Sequence, residues 1–197
     1  MQLLRKNERA SGIDFKEVFG KDHADSFQLL ESGKADAFVM DGQIVMGLAK
    51  LDVKYQPVTS QNRIPLVQNG TVDIECGSTT NNATRQKDVS FLLTTYVEEV
   101  RIAVKANSGI TSIAQLNGKN VATTTGTTSV QLLRKHERAT GVDFKEVFGK
   151  DHADSFLLLE SGRADAFVMD GQILAGNISK SKHPADFEIV GDRKSVV

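Results

Sequence analysis

Short apolar runs alternate with helix-like segments along most of this chain. Residues 120–125 (NVATTT) make a β-rich run that stops at Gly126. Thr127, Thr128 and Ser129 then offer N-caps for a helix over 130–139, and Gly141 ends it. Residues 142–148 read as a strand. Asp151, with Asp154 three positions on, starts a second helix in a capping-box-like arrangement. That helix carries Phe156, Leu158 and Leu159 toward Gly162, a natural C′ residue. The apolar run 166–169 (AFVM) suits a strand covered on both faces, with Asp170 at its end. The order is β-α-β-α-β.

The middle of the chain has the same grammar. Residues 53–58 alternate like a strand. Ser60 or Asn62 can cap a helix over 63–67, closed by Asn69-Gly70, with Pro65 tolerated in its first turn. Residues 71–76 form the next expected strand, leading into the polar loop 77–82 (GSTTNN). Residues 97–104 make a further strand, and 109–118 a connecting turn with a short helix. Strands alternating with helices predict a doubly wound α/β architecture with parallel strands. Ligands of such sheets sit beyond the C-terminal ends of strands. That rule selects the loops 77–82 and 124–129, His152 and Asp170.

Part of this pattern occurs twice. Residues 2–47 and 131–176 align at a constant offset of 129, and seven of the 46 paired positions differ. The pairs are Asn7/His136, Ser11/Thr140, Ile13/Val142, Gln28/Leu157, Lys34/Arg163, Val45/Leu174 and Met46/Ala175. The unit is too long and too similar for a solenoid repeat. It reads as a half-domain copied or joined onto a different segment. His23 and Asp41 are the counterparts of His152 and Asp170, but the first copy lacks the Gly-Thr-Thr-Ser loop before its first helix.

Composition narrows the function classes. A net charge of −1, with scattered Lys and Arg, gives no electrostatic case for nucleic acid or an anionic membrane. No stretch approaches the roughly 20 apolar residues that cross a bilayer, so the chain is not expected to be membrane-embedded. Met1 is followed at once by a polar stretch rather than a signal peptide. Cys76 is the single cysteine, so no intrachain disulfide forms.

Several residues could carry chemistry. The run Thr124-Thr125-Gly126-Thr127-Thr128-Ser129 precedes a helix, where free amides and the dipole favour an anion. An ordinary cluster of hydroxyl caps is the plainer reading. It is not a phosphate-binding Walker loop, since no Gly-Lys-Ser/Thr follows. The 77–82 loop is a second hydroxyl-rich turn. Arg101 lies inside the apolar strand VRIAV and either projects to solvent or clamps a carboxylate. His152 either caps and faces solvent or donates to an acidic group, and Asp170 can accept from an ammonium. The four histidines lack metal-ligand spacing. Ser129, His152 and Asp170 could be drawn as a triad, but no nucleophile elbow supports one.

Residues 57–82 (PVTSQNRIPLVQNGTVDIECGSTTNN), 126–129 (GTTS), 150–170 (KDHADSFLLLESGRADAFVMD) and 187–191 (FEIVG) closely resemble the glutamate/aspartate-binding periplasmic proteins of ABC transporters. The likeness runs from about residue 51 to residue 191 in the family's order. It implies a type II periplasmic-binding fold of two α/β lobes joined by hinge strands, one lobe being incomplete here. It divides the chain into a duplicated lobe 2 segment (1–50), partial lobe 1 (51–105), lobe 2 (106–191) and a non-native tail (192–197). It implies that Arg101 holds the α-carboxylate, helped by Ser78, Thr94 and the Thr127 region. Asp170 takes the α-ammonium, and His152, Thr124 and Thr128 face the side-chain carboxylate. No cofactor or metal is implied. The partners are L-glutamate or L-aspartate and a membrane permease, and the location is periplasmic.

Two departures stand out. The family's Ser-Asp pair after the phenylalanine is Leu92-Leu93 here, and its Gly-Thr before the arginine is Glu99-Val100. The family's first strand and helix of lobe 1 are also missing. Residues 36–50 could fill that slot, which predicts parallel pairing of 37–40 with 53–58. Three functions compete: a binding component for acidic amino acids, a dehydratase-like enzyme on the same scaffold, and a fragment that binds nothing.

Overall fold

A computed structural model of the chain describes residues 16–37, 47–50, 53–92, 94 and 96–191. The chain divides into two compact units, Met1–Pro57 and Val58–Val197.

In the first unit, helix α1 spans His23–Glu31. The Asp22 side chain caps it by accepting from the Asp25 amide at 2.8 Å. The Lys21 amide in turn donates to Asp25 Oδ2 at 2.8 Å, so two amides are satisfied reciprocally. No residue of α1 is buried. Asp41 and residues 38–40 lie outside the described residues.

The second unit is built on one five-stranded sheet. Its elements are α2 (Arg63–Gln68), β1 (Val100–Lys105), β2 (Asn120–Thr124), α3 (Thr128–Thr140), β3 (Lys145–Gly149), α4 (His152–Glu160), β4 (Ala166–Asp170), α5 (Gly171–Lys180) and β5 (Phe187–Val190). The strand order is β3-β2-β4-β1-β5. Strand β2 runs parallel to β3 and β4. Strand β1 is antiparallel to both its neighbours, β4 and β5. The sheet is therefore mixed rather than purely parallel, with one reversed strand.

Alternation along the strands divides the core into two layers. Ile102, Val104, Val121, Ala166 and Val168 face one side with Leu133 of α3. Ala103, Ala122, Phe167 and Met169 face the other with Phe156, Leu158 and Leu159 of α4 and Leu174 of α5. Helices thus cover both faces, the architecture that the apolar run 166–169 predicts.

The β-α-β-α-β reading of 120–170 matches the structure, with α3 ending at Gly141 in the left-handed conformation (φ 72°). The expected strands at 53–58 and 71–76 do not form. A strand needs a neighbour to take its amides and carbonyls. Among the described residues no strand pairs with these segments, and Ile74 is 71% exposed. The proposed pairing of 37–40 with 53–58 therefore lacks one of its strands, while 38–40 lie outside the described residues.

The two copies make a direct comparison. Phe156 is 5% exposed and packs on Phe187 at a ring separation of 5.1 Å, whereas its counterpart Phe27 is half-buried. Phe156→Ala should cost about 3–5 kcal/mol, and Phe27→Ala distinctly less. Paired thermal-unfolding measurements check this ranking.

Candidate functional site

The site candidates gather where β2 ends and α3 begins. Thr127 is the N-cap of α3, yet its side chain does not cap the helix. Its hydroxyl turns back and donates to the Thr124 carbonyl at 2.8 Å. The first-turn amides of α3 thus keep no side-chain partner from their own cap residue, which leaves a helix N-terminus suited to an anion. Gly126 has φ 81°, and a Cβ there would stand 2.7 Å from the Gln61 Cα and 2.8 Å from the Ser60 carbonyl oxygen. Only glycine meets both demands.

Thr124 is fully buried. Its hydroxyl lies 2.8 Å from the Ser155 hydroxyl and 3.1 Å from His152 Nδ1. His152 opens α4, whose start is fixed by Asp151 accepting from the Asp154 amide at 2.8 Å. Burial lowers the His152 pKa, and the nearby Arg63 charge lowers it further against the pull of Asp151. The ring is held neutral at pH 7, with Nδ1 committed to Thr124.

Two arginines that the sequence reading passed over join this cluster. Arg63, at the start of α2, is only 5% exposed. Its Nη1 donates to Ser78 Oγ at 3.2 Å and lies 3.6 Å from Glu75 Oε1. Its Nε is buried without a hydrogen-bond partner among the described residues. Glu75 also accepts from the Thr79 hydroxyl at 2.7 Å. Arg85 bridges the two hydroxyl-rich loops, donating from Nη1 to the Thr80 carbonyl and from Nη2 to the Gly126 carbonyl, each at 3.1 Å. The Thr80 and Thr128 hydroxyls meet at 3.4 Å across the same junction. Desolvation lowers the pKa of both guanidiniums, but they stay charged. A cleft of about 720 Å³ opens beside this junction, lined by Ser60, Gln61, Arg85, Gly126, Thr127 and Phe148 among others.

Asp170 stands at the C-terminal end of β4, paired in register with Val100 of the reversed β1. Burial raises its pKa first, and Glu98 raises it further, while Arg63 and Arg85 oppose the shift. Asp170 therefore shares an electrostatic environment with both arginines. Arg101 is placed differently. Its Nε donates to the Val190 carbonyl of β5 at 3.4 Å, and no hydrogen bond among the described residues ties it to the cluster. Thr94 lies exposed in the loop before β1. Leu92 is 82% exposed.

Hydrogen bonds link Ser78, Thr124, Thr127, Thr128 and His152 with Arg63, Arg85 and the loops that carry them; Asp170 joins them through charge alone, and Thr94 and Arg101 make no hydrogen bond to the group among the described residues. Arg63 was visible inside the segment 57–82 as a cation at a helix start. Nothing in the polar run around Arg85 marks it. Among the described residues no three His, Cys, Asp or Glu side chains group as a metal site, and no helix is long and apolar enough to cross a membrane.

Residues 42–158 match the bacterial extracellular solute-binding proteins, family 3. The chain belongs to this family. It is similar to the L-glutamate/L-aspartate-binding protein of Pseudomonas aeruginosa, with 48% identity over 76% of this chain and 50% of that protein. It is similar to the glutamate/aspartate import solute-binding protein of Escherichia coli K12, with 50% identity over 74% of this chain and 48% of that one. The chain spans about half the length of the relatives it matches. Among solved structures it is similar to an ancestral arginine-binding protein bound to glutamine, with a TM-score of 0.67, 29% identity, and coverage of 75% of this chain and 64% of that one. The fold is that of the type II solute-binding proteins.

Gly126→Ala should destabilise the second unit by more than about 1 kcal/mol, because both the positive φ and the close approach of residues 60–61 oppose a methyl group. Denaturant unfolding measures it.

Proposed function

We propose that this chain is an extracytoplasmic solute-binding protein that captures an acidic amino acid, glutamate or aspartate, for delivery to an ABC-transporter permease in the periplasm. The observation that carries this reading is the placement of donors and acceptor. Arg63, with an unmet buried Nε, and Arg85 both act electrostatically on the half-buried Asp170. A buried guanidinium donor left unmet costs free energy, and a carboxylate recovers it. An acidic amino acid brings two carboxylates and one ammonium, the complement of two guanidiniums and one carboxylate.

In this reading the carboxylate clamps are Arg85 and Arg63, in place of Arg101, whose Nε is turned to β5. Asp170 takes the ammonium. The α3 amides, Ser78, Thr124, Thr128 and neutral His152 complete the carboxylate contacts. The group offers hydrogen-bond donors and one ammonium acceptor rather than a poised acid-base pair, so we read it as a binding site and not an enzyme. The names of the similar glutamate/aspartate-binding proteins support the same substrate class.

Calorimetric titration with glutamate, aspartate and glutamine tests the proposal. Acidic ligands should release heat and glutamine should bind at least about tenfold more weakly, since it loses one charge-assisted pairing. Absence of heat with all three would reject it.

Arg85→Lys keeps the charge but loses the planar fork that spans two loops. It should weaken glutamate by about tenfold or more, read in the same titration.

The pH dependence has a definite sign. Ammonium binding requires Asp170 ionised, and its pKa is raised. Affinity should therefore fall on acidification while an ordinary carboxylate would still be charged. Asp170→Asn should bind weakly at pH 7 and show no such acid limb.

A further inference from the structure

We propose that Glu98 is a positioning residue that keeps the Asp170 carboxylate available to the ligand, which rests on the reading of Asp170 as the ammonium acceptor. Asp170 occupies the N-cap position of α5, but its side chain makes no cap hydrogen bond. An aspartate there ordinarily turns its carboxylate onto the amides of the first helical turn. Here the first two of those amides are already taken. The Gly171 amide donates to the Glu99 carbonyl at 2.9 Å. The Gln172 amide donates to Glu98 Oε2 at 3.2 Å. The other oxygen of Glu98 accepts from the Glu99 amide at 2.9 Å, which fixes the carboxylate from its own backbone.

The antiparallel register explains how residues so far apart in sequence meet. Val100 pairs with Asp170, so the two residues before β1 lie against the first turn of α5. Gly171 makes the approach possible, since a Cβ there would stand 3.4 Å from Glu98 Oε1 and 3.3 Å from Arg101 Cγ. Glu98 is thus a cap supplied from another segment. It replaces Asp170 in satisfying the helix and supplies the negative charge that a helix N-terminus favours. Asp170 is then free of that duty. The charged groups that act on it are Glu98, Arg63 and Arg85.

Two variants separate this role from a merely structural one. Glu98→Ala removes the strap, so Asp170 can turn onto the Gln172 amide. Glu98→Gln keeps an acceptor oxygen for that amide and removes only the charge. Two readouts apply: carbon NMR titration of the Asp170 carboxyl in ligand-free protein, and calorimetric glutamate affinity at pH 7.5. Glu98→Ala should weaken glutamate by about tenfold, the size of a helix cap converted to affinity, and move the Asp170 titration to lower pH. Glu98→Gln should recover most of that affinity while still moving the titration down. Wild-type affinity with an unmoved titration in Glu98→Ala would overturn the proposal. So would a Glu98→Gln variant as weak as Glu98→Ala. If the parent chain itself binds no glutamate, the binding reading fails, while the NMR titration still decides whether Glu98 governs Asp170. Should Glu98→Ala not fold, the titration of Glu98→Gln decides alone, an unmoved curve counting against it.

Discussion

One reversed strand organises this molecule. Strand β1 runs against β4 and β5 while the rest of the sheet is parallel. Because of that reversal, the beginning of β1 meets the end of β4. In a purely parallel sheet, the residues preceding a strand lie at the edge opposite to the ligand-binding end. Here the residues preceding β1 lie at the binding end, beside Asp170. Glu98, Glu99 and Arg101 are all near the α5 start for this reason alone. The same strand contributes Ile102 and Val104 to one core layer and Ala103 to the other. A disturbance of β1 would reach the core and the site together.

Around Arg63, burial and charge are set against each other. Arg63 and Asp170 are both withdrawn from water, and burial is the leading cause of the shift in each. Charges taken out of water are costly unless paired. Arg63 has only Ser78 and a 3.6 Å approach to Glu75 on its Nη1 side. Such incomplete pairing is uncommon in a settled core and understandable in a site that a ligand finishes. His152 follows the same logic: burial first, and the Arg63 charge second, lower its pKa, which disfavours one more uncompensated cation there.

The duplicated segment shows how far local sequence reaches. Both copies form the same capped helix start, with Asp22 and Asp151 accepting from Asp25 and Asp154 at 2.8 Å. The Ser26 and Ser155 hydroxyls return to the Asp22 and Asp151 carbonyls at 2.8 and 2.9 Å. These contacts span three or four residues, and the sequence pattern was enough to anticipate the Asp151–Asp154 cap. Burial is not local. Helix α1 buries nothing, while α4, differing in sequence only at Gln28/Leu157, buries Ser155, Phe156, Leu158 and Leu159. The difference lies in what each helix packs on, which no window of sequence contains. The failed strands at 53–58 and 71–76 teach the same lesson, since strand propensity without a partner strand is not a strand.

The site was legible to the same extent and for the same reason. Thr127, Thr128, His152 and Asp170 follow strand ends or open helices, so topology rules find them. Arg85 is found by none of these rules. It matters because its two nitrogens span carbonyls 46 residues apart in sequence, Thr80 and Gly126. Arg101 shows what a pattern within one strand leaves open. The second residue of the reversed strand donates from Nε to the neighbouring strand's carbonyl at Val190, a contact that solvent-facing and clamp readings of the sequence both omit. Which carbonyls lie beside a cation inside a sheet depends on the register and direction of the neighbouring strand, and those are properties of the whole topology. Glu98 belongs to the same class: its part in capping α5 exists only because β1 runs backwards.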